Sequence, residues 1–316
     1  MRTIAAVASV LGGVALALQS KVNGSLGHHL GDGLFAALIS FFVGLVLLAV
    51  LVLAVPAWRG GGRRFADALR TRKLRPWQCL GGMAGAFYVT TQGLTVSLLG
   101  VAMFTVAGVA GSVVSSLLVD RAGFGPGGPR PVTPTRAVGA VLAVAAVGVA
   151  VSDELGTPSQ LWLSLVPALA GAGIGWAQAA NGLVGVATRS VAFASLVNFG
   201  IGFVFLVLAC GVDALVRGLP KAPPTDPGLY AGGLLGVVML LATVFAVRHI
   251  GALMVGLCAI AGQIVGAVVL DLFAPGASGG IETTTLVGVI VTLVAAGVAA
   301  VPSGRGRVRS GARVEQ

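Results

Sequence analysis

Asn23-Gly24, and after it Phe35-Ala36-Ala37-Leu38-Ile39-Ser40-Phe41-Phe42-Val43-Gly44, is written twice in this chain. It returns as Asn181-Gly182 followed by Phe193-Ala194-Ser195-Leu196-Val197-Asn198-Phe199-Gly200-Ile201-Gly202, with the spacing kept and Gly27 in step with Gly185. A repeat of this length calls for a search outward in both directions. Gly81-Gly82-Met83-Ala84-Gly85 matches Gly232-Gly233-Leu234-Leu235-Gly236, and Gly100 matches Gly251. Ala110-Gly111-Ser112 through Asp120 matches Ala261-Gly262-Gln263 through Asp271, and Gly139 and Gly148 match Gly288 and Gly297. The chain therefore divides into two copies, about 1–154 and 155–304, with a Gly/Arg/Ser-rich tail at 305–316 expected to be disordered.

Of the 316 residues 56% are hydrophobic and 9% charged, a balance that no soluble domain of this size can carry on its surface. A membrane span takes ~20 apolar residues. Ten such runs are present, roughly 3–22, 33–56, 77–97, 100–119, 135–152, 159–180, 190–212, 228–247, 250–270 and 283–302. The expected fold is an all-α membrane protein of ten transmembrane helices in two five-helix repeats. The first run looks like a secretory signal, with Arg2 and a small-residue Ala15-Leu16-Ala17 site. Its mid-chain copy cannot be one, so the first run is expected to remain as a helix. Cys79, Cys210 and Cys258 are scattered within spans and lack metal spacing, which fits small apolar packers.

Five is odd, so the second copy enters the membrane from the opposite side. Lys and Arg gather in cytoplasmic loops. With the N-terminus inside, the cytoplasmic segments hold 17 basic residues, and the other face keeps only Lys21, Arg217 and Lys221, 3 in all. Both termini are thus expected in the cytoplasm. The net charge of +10 is topological and excludes a nucleic-acid surface as its explanation. The stretch around Arg63–Lys73 and the tail suit an anionic lipid surface. Inverted repeats of this kind are an architecture of secondary transporters, because two copies that exchange conformations open to opposite sides.

These motifs are similar to those of the drug/metabolite transporter superfamily (EamA-like), and closest to its YdcZ-like branch. The residues carrying the resemblance are Leu18-Gln19 with Val22-Asn23, Ala36 through Gly44, Gly81-Gly82 with Gly85, Ala110-Gly111 leading to Asp120-Arg121-Ala122-Gly123-Phe124, and Ala261-Gly262-Gln263 leading to Asp271. The resemblance implies a multi-pass inner-membrane carrier, expected to be an exporter of a small organic metabolite or drug. It also implies a central cavity enclosed by the first four helices of each repeat, with the fifth outside. The superfamily's small multidrug exporters carry a proton-exchanging Glu in their first helix; no carboxylate lies inside helix 1 or helix 6 here. No cofactor, metal or nucleic acid is expected, only a small-molecule substrate and the bilayer, for a monomer or homodimer.

Ionisable residues inside a membrane are functional candidates by default, and here they cluster at predicted helix ends. Asp120 and Asp271 close equivalent helices, where the macrodipole disfavours a carboxylate. As alternating gates they would pair with cations, Asp120 with Arg189 or Arg248 and Asp271 with Lys21; the alternative is a solvated interfacial carboxylate. Deeper lie Ser40 and Asn198, Ser112 and Gln263, each pair at equivalent positions, with Tyr88, Thr91, Gln92 and Trp176. Such side chains either line a cavity or join helices by hydrogen bonds. Asn23 and Asn181, each before a glycine, serve as gates or as helix C-caps. Gln19 and Gln178, about a turn deeper, are expected at the pore.

Two other classes compete with the carrier. Gly276-Ala277-Ser278-Gly279-Gly280 has the spacing of a hydrolase nucleophile turn, with His28 and His29 expected on its face, but lacks the strand and orienting group that chemistry needs. A channel or non-transporting structural protein fits an inverted repeat within one chain less well than a carrier does.

Overall fold

The computed structural model describes residues 1–126, 128–129, 131–150, 158–273, 287, 290, 291 and 294; inside its helices, the side chains of Arg248 and Asp271 lie outside the description. The Ser278 motif also lies outside the described residues. Two residues set the first corner. Gly31, at φ 67°, ends α1 (Arg2–Leu30), and Asp32 Oδ1 accepts from the N–H groups of Leu34 at 2.8 Å and Phe35 at 3.1 Å to start α2 (Gly33–Ala54). Then come α3 (Pro56–Arg59), α4 (Gly61–Arg70), α5 (Gly81–Ala122), α6 (Pro134–Ala150), α7 (Pro158–Thr188), α8 (Val191–Arg217) and α9 (Gly232–Phe273). Among the described residues there is no strand.

The corner between α7 and α8 repeats the first. Arg189 takes φ 52° and Ser190 Oγ accepts from the Phe193 N–H at 3.2 Å. Gly31 and Asp32 are replaced by Arg189 and Ser190, so the second copy holds a left-handed position without glycine, which costs ~1–2 kcal/mol. Both first helices run on past the expected stop: α1 continues through Asn23-Gly24 and α7 through Asn181-Gly182. Neither Asn caps a helix, because the positive φ lies eight residues further on. α5 is two helices joined at Gly100, whose φ of 78° and ψ of 164° only glycine adopts easily. Among the described residues six helical segments are long and apolar enough to cross a membrane: Arg2–Leu30, Gly33–Ala54, Met103–Ala122, Leu163–Thr188, Val191–Arg217 and Pro227–Ala246.

The copies pack crosswise. α1 lies along α9, α7 lies along α5, and α2 crosses α8. Small residues let the backbones approach in matched pairs: a Cβ on Gly13 would strike the Ala259 carbonyl, and one on its counterpart Gly171 would strike the Gly108 carbonyl. Gly262 meets the Val10 carbonyl and Gly111 the Ala168 carbonyl in the same way. Between lipid-bathed helices such close approach supplies dispersion contact in place of a hydrophobic drive. At the centre Phe41 and Phe199 stack with ring centroids 5.0 Å apart. Phe41 occupies the space a Cβ on Gly202 would need, and Phe199 that of Gly44. This reciprocal exchange between α2 and α8 marks a pseudo-two-fold axis.

Candidate functional site

The polar interior is built on this frame, and its two halves differ. At the end carrying Gly31 and Gly100, Asn23 Nδ2 donates to Gln92 Oε1 at 2.8 Å, Gln92 Nε2 donates to Ser20 Oγ at 2.9 Å, and Ser40 Oγ donates to Asn23 Oδ1. All four side chains are buried. The chain joins α1, α2 and α5 with three interhelical bonds, each worth ~0.6–2 kcal/mol in a membrane. Backbone contact seals the same end, since a Cβ on Gly33 would lie 2.7 Å from the Gly93 carbonyl carbon, and one on Gly27 would collide with the Gly93 carbonyl oxygen.

The opposite end carries the counterparts with the bonds unmade. Asn181 is only half-buried. Thr243, in the place of Gln92, turns its hydroxyl to Met239 Sδ at 3.7 Å on its own helix. Asn198, in the place of Ser40, keeps its Oδ1 buried without a partner among the described residues. Among those residues α7 makes slight contact with α9, and a Cβ on Gly185 would sit 3.7 Å from Val244 Cγ1, an ordinary contact.

Near the centre, Gln19 Oε1 and Asn198 Oδ1 are buried acceptors without a partner among the described residues, as are the hydroxyls of Thr105 and Ser195. The Gln19 amide and the Phe199 ring share the surface of Gly236; the Asn198 amide and the Phe41 ring share that of Gly85. The two amides therefore flank the stacked phenylalanines. Tyr88 accepts from Gln263 Nε2 at 3.3 Å and meets Phe104 edge-on, with ring centroids 5.2 Å apart. Thr91 is buried but turned back to the Tyr88 carbonyl at 2.7 Å. Ser112 and Trp176 are half-buried, whereas Gln178 is exposed. The register that pairs Asn23 with Asn181 pairs Gln178 with Ser20 and Gln19 with Ala177, so Gln19 and Gln178 lie about 100° apart around equivalent helices. Among the gate candidates, Asp120 is half-buried at the end of α5, ahead of the left-handed Gly123, and Lys21 is half-buried in α1. Asp271 and Arg248 lie outside the described side chains.

Sequence reasoning missed Ser20, Thr95, Thr105 and Ser195. Ser20 was accessible from the repeat register through Gln178. The other three are small hydroxyls in apolar helices, and nothing local distinguishes them.

A helical, multi-pass membrane protein made of two copies of one unit, with buried amides and hydroxyls in its interior, is the class that sequence and fold define together. The profile of the family described as "Putative inner membrane exporter, YdcZ" matches residues 4–149 and 162–299, one segment in each copy. The chain belongs to this family of the drug/metabolite transporter superfamily, which that description makes a family of inner-membrane transporters and not an enzyme family. No curated protein matches it. A solved structure described only as the crystal structure of a protein has the same fold, with a TM-score of 0.57 and 19% identity over 95% of this chain and 96% of its own.

Proposed function

We propose that this protein is a secondary transporter that exports a small organic metabolite or drug by alternating access of two inverted five-helix repeats, residues 1–154 and 155–304, ahead of a basic tail at 305–316. Ten spans and cytoplasmic termini are the topology of this reading, supported by the basic loops. On that topology the sealed end faces away from the cytoplasm and the loosely joined end faces it.

The observation that carries the reading is the contrast between a complete network at Ser20, Asn23, Ser40 and Gln92 and an unmade one at Asn181, Asn198 and Thr243. An alternating carrier needs two equivalent gates with one shut at a time. The lone Asn198 Oδ1 is the acceptor that the Asn181 amide meets when α7 closes on α9. Gln19, Asn198, Tyr88 and Gln263 line the proposed cavity. Three interhelical bonds at ~0.6 kcal/mol each total about 1.8 kcal/mol, which biases the two states roughly twentyfold and leaves the minor one populated. A bias of that size suits a carrier, since a substrate can reverse it.

The test is flux in proteoliposomes across labelled amines, sugars and nucleosides. A carrier shows saturable uptake and counterflow, in which unlabelled solute on one side drives labelled solute in from the other. Flux that stays linear with concentration and shows no counterflow would overturn the reading.

A further inference from the structure

The helix α4 has no counterpart in the second copy, and its two faces do different things. Phe65, Ala68 and Leu69, spaced to share one side of a helix, pack with Leu74 and Cys79 against Leu183, Val184 and Ala187 of α7 and Ala194, Val197 and Ile201 of α8. Phe65 stacks on Phe193 with centroids 5.9 Å apart, and a Cβ on Gly61 would lie 2.5 Å from the Phe193 ring. Arg64 Nη1 donates to the Thr188 carbonyl at 3.2 Å. These contacts surround the corner between the first two helices of the second copy. That corner also holds Arg189 at its left-handed φ and the Ser190 cap. A segment of the first repeat thus grips the first corner of the second repeat.

The other face is charged. Arg63 and Arg70 of α4 are exposed there, as are Arg72, Lys73 and Arg75 just beyond its end, with Asp67 the single acid from Arg59 to Arg75. Beside them Trp77, 36% exposed, meets Phe124, 45% exposed, edge-on at 5.7 Å. Basic side chains next to accessible aromatic rings match the headgroup layer of a bilayer, where anionic lipid attracts Lys and Arg.

We propose that α4 is a clamp, its basic face seated on anionic lipid headgroups and its apolar face on the α7–α8 corner, so that membrane charge sets how firmly that corner is held. The contact stands independently of the carrier reading; only its effect on transport rests on that reading. Positive charge that merely orients a loop needs no such seat on another repeat.

Hydrogen exchange on the full chain in nanodiscs separates the cases, comparing phosphatidylcholine alone with phosphatidylcholine plus phosphatidylglycerol. Phosphatidylglycerol is expected to slow exchange at residues 61–70 and 188–193 together, by at least about threefold, and added salt to reverse the effect. The quadruple variant Arg63→Gln, Arg70→Gln, Arg72→Gln, Lys73→Gln should lose both responses. Phe65→Ala, or the milder Arg64→Gln, should keep the response in α4 and lose it at the corner. Slowing confined to α4 in the wild-type chain would overturn the clamp, and no response to phosphatidylglycerol would overturn the lipid surface as well. Neither result touches the flux test of the carrier reading.

Discussion

At the sealed end three glycines meet, Gly27 and Gly33 closing on Gly93, and Gln92 ties α5 to α1. At the loosely joined end the register sets Val191 where Gly33 stands, Val244 where Gly93 stands and Thr243 where Gln92 stands. Gly185 alone is retained. The duplication has kept the frame, in the Phe41–Phe199 exchange and the Gly13 and Gly171 crossings, while the two ends have drifted apart in volume and hydrogen-bonding reach. On the proposed mechanism, preference for one state lies in the residues that differ between copies, and the capacity for two states in the residues that match.

The largest effect is expected from carrying a second-copy residue into the first. Gly93→Val places branched carbons where a Cβ alone would lie 2.6 Å from the Gly33 Cα. Overpacking of this kind costs ~1–3 kcal/mol, enough to open the sealed end. A cysteine at Leu26, a fully buried position on α1, in a chain with Cys79, Cys210 and Cys258 changed to Ala, reports the opening by alkylation. The rate should rise at least about tenfold. An unchanged rate in a monodisperse, folded variant would break the comparison.

Next comes Gln92→Leu. The change leaves the Asn23 amide without its acceptor and Ser20 without its donor, at about 1–2 kcal/mol for buried groups left unpaired. Alkylation at the Leu26 cysteine should rise several-fold, and melting temperature should fall. A fall in melting temperature alone would make the network interhelical glue with no part in gating.

Gln92 also shows what the sequence could and could not disclose. The duplication, the break at Gly100 and the Phe41 and Phe199 positions were all legible, because they repeat. The pairing of Asn23 with Gln92 was not, since its partners are 69 residues apart and only packing of α1 on α5 brings them together. Asn-Gly therefore read locally as a helix end, and the long-range partners kept α1 running to Leu30. The helix α4 was hidden for the opposite reason. It occurs once, so the repeat could not flag it, and its charge read as loop until Phe65, Ala68 and Leu69 found α7 and α8.

A smaller effect tests whether the ends are coupled. Thr243→Gln gives the loosely joined end the side chain that Gln92 gives the sealed one, long enough to reach α7 from α9. One added interhelical bond is worth ~0.6–2 kcal/mol. If closing one end opens the other, the Leu26 cysteine, on the far side of the bundle, should react a few-fold faster. A pore with independent ends would leave it unchanged.

The smallest change concerns Asp120, where the sign matters more than the size. The carboxylate lies at the C-terminus of α5, three residues before the left-handed Gly123, and the helix dipole opposes it by ~0.3–1 kcal/mol. A solvated Asp120 therefore predicts that Asp120→Asn stabilises the protein slightly and leaves alkylation at Leu26 alone. A gate carboxylate held by a cation predicts the reverse. The variant loses a favourable pair at the loosely joined end, melts lower, and shifts the population between the ends, with a corresponding change in the Leu26 rate. The proposed gate requires this second outcome, and requires salt to diminish it, because exposed pairs are screened within ~10 Å at 0.1 M. A higher melting temperature with no change at Leu26 would remove Asp120 from the gate and leave Asn181, Asn198 and Thr243 to form it.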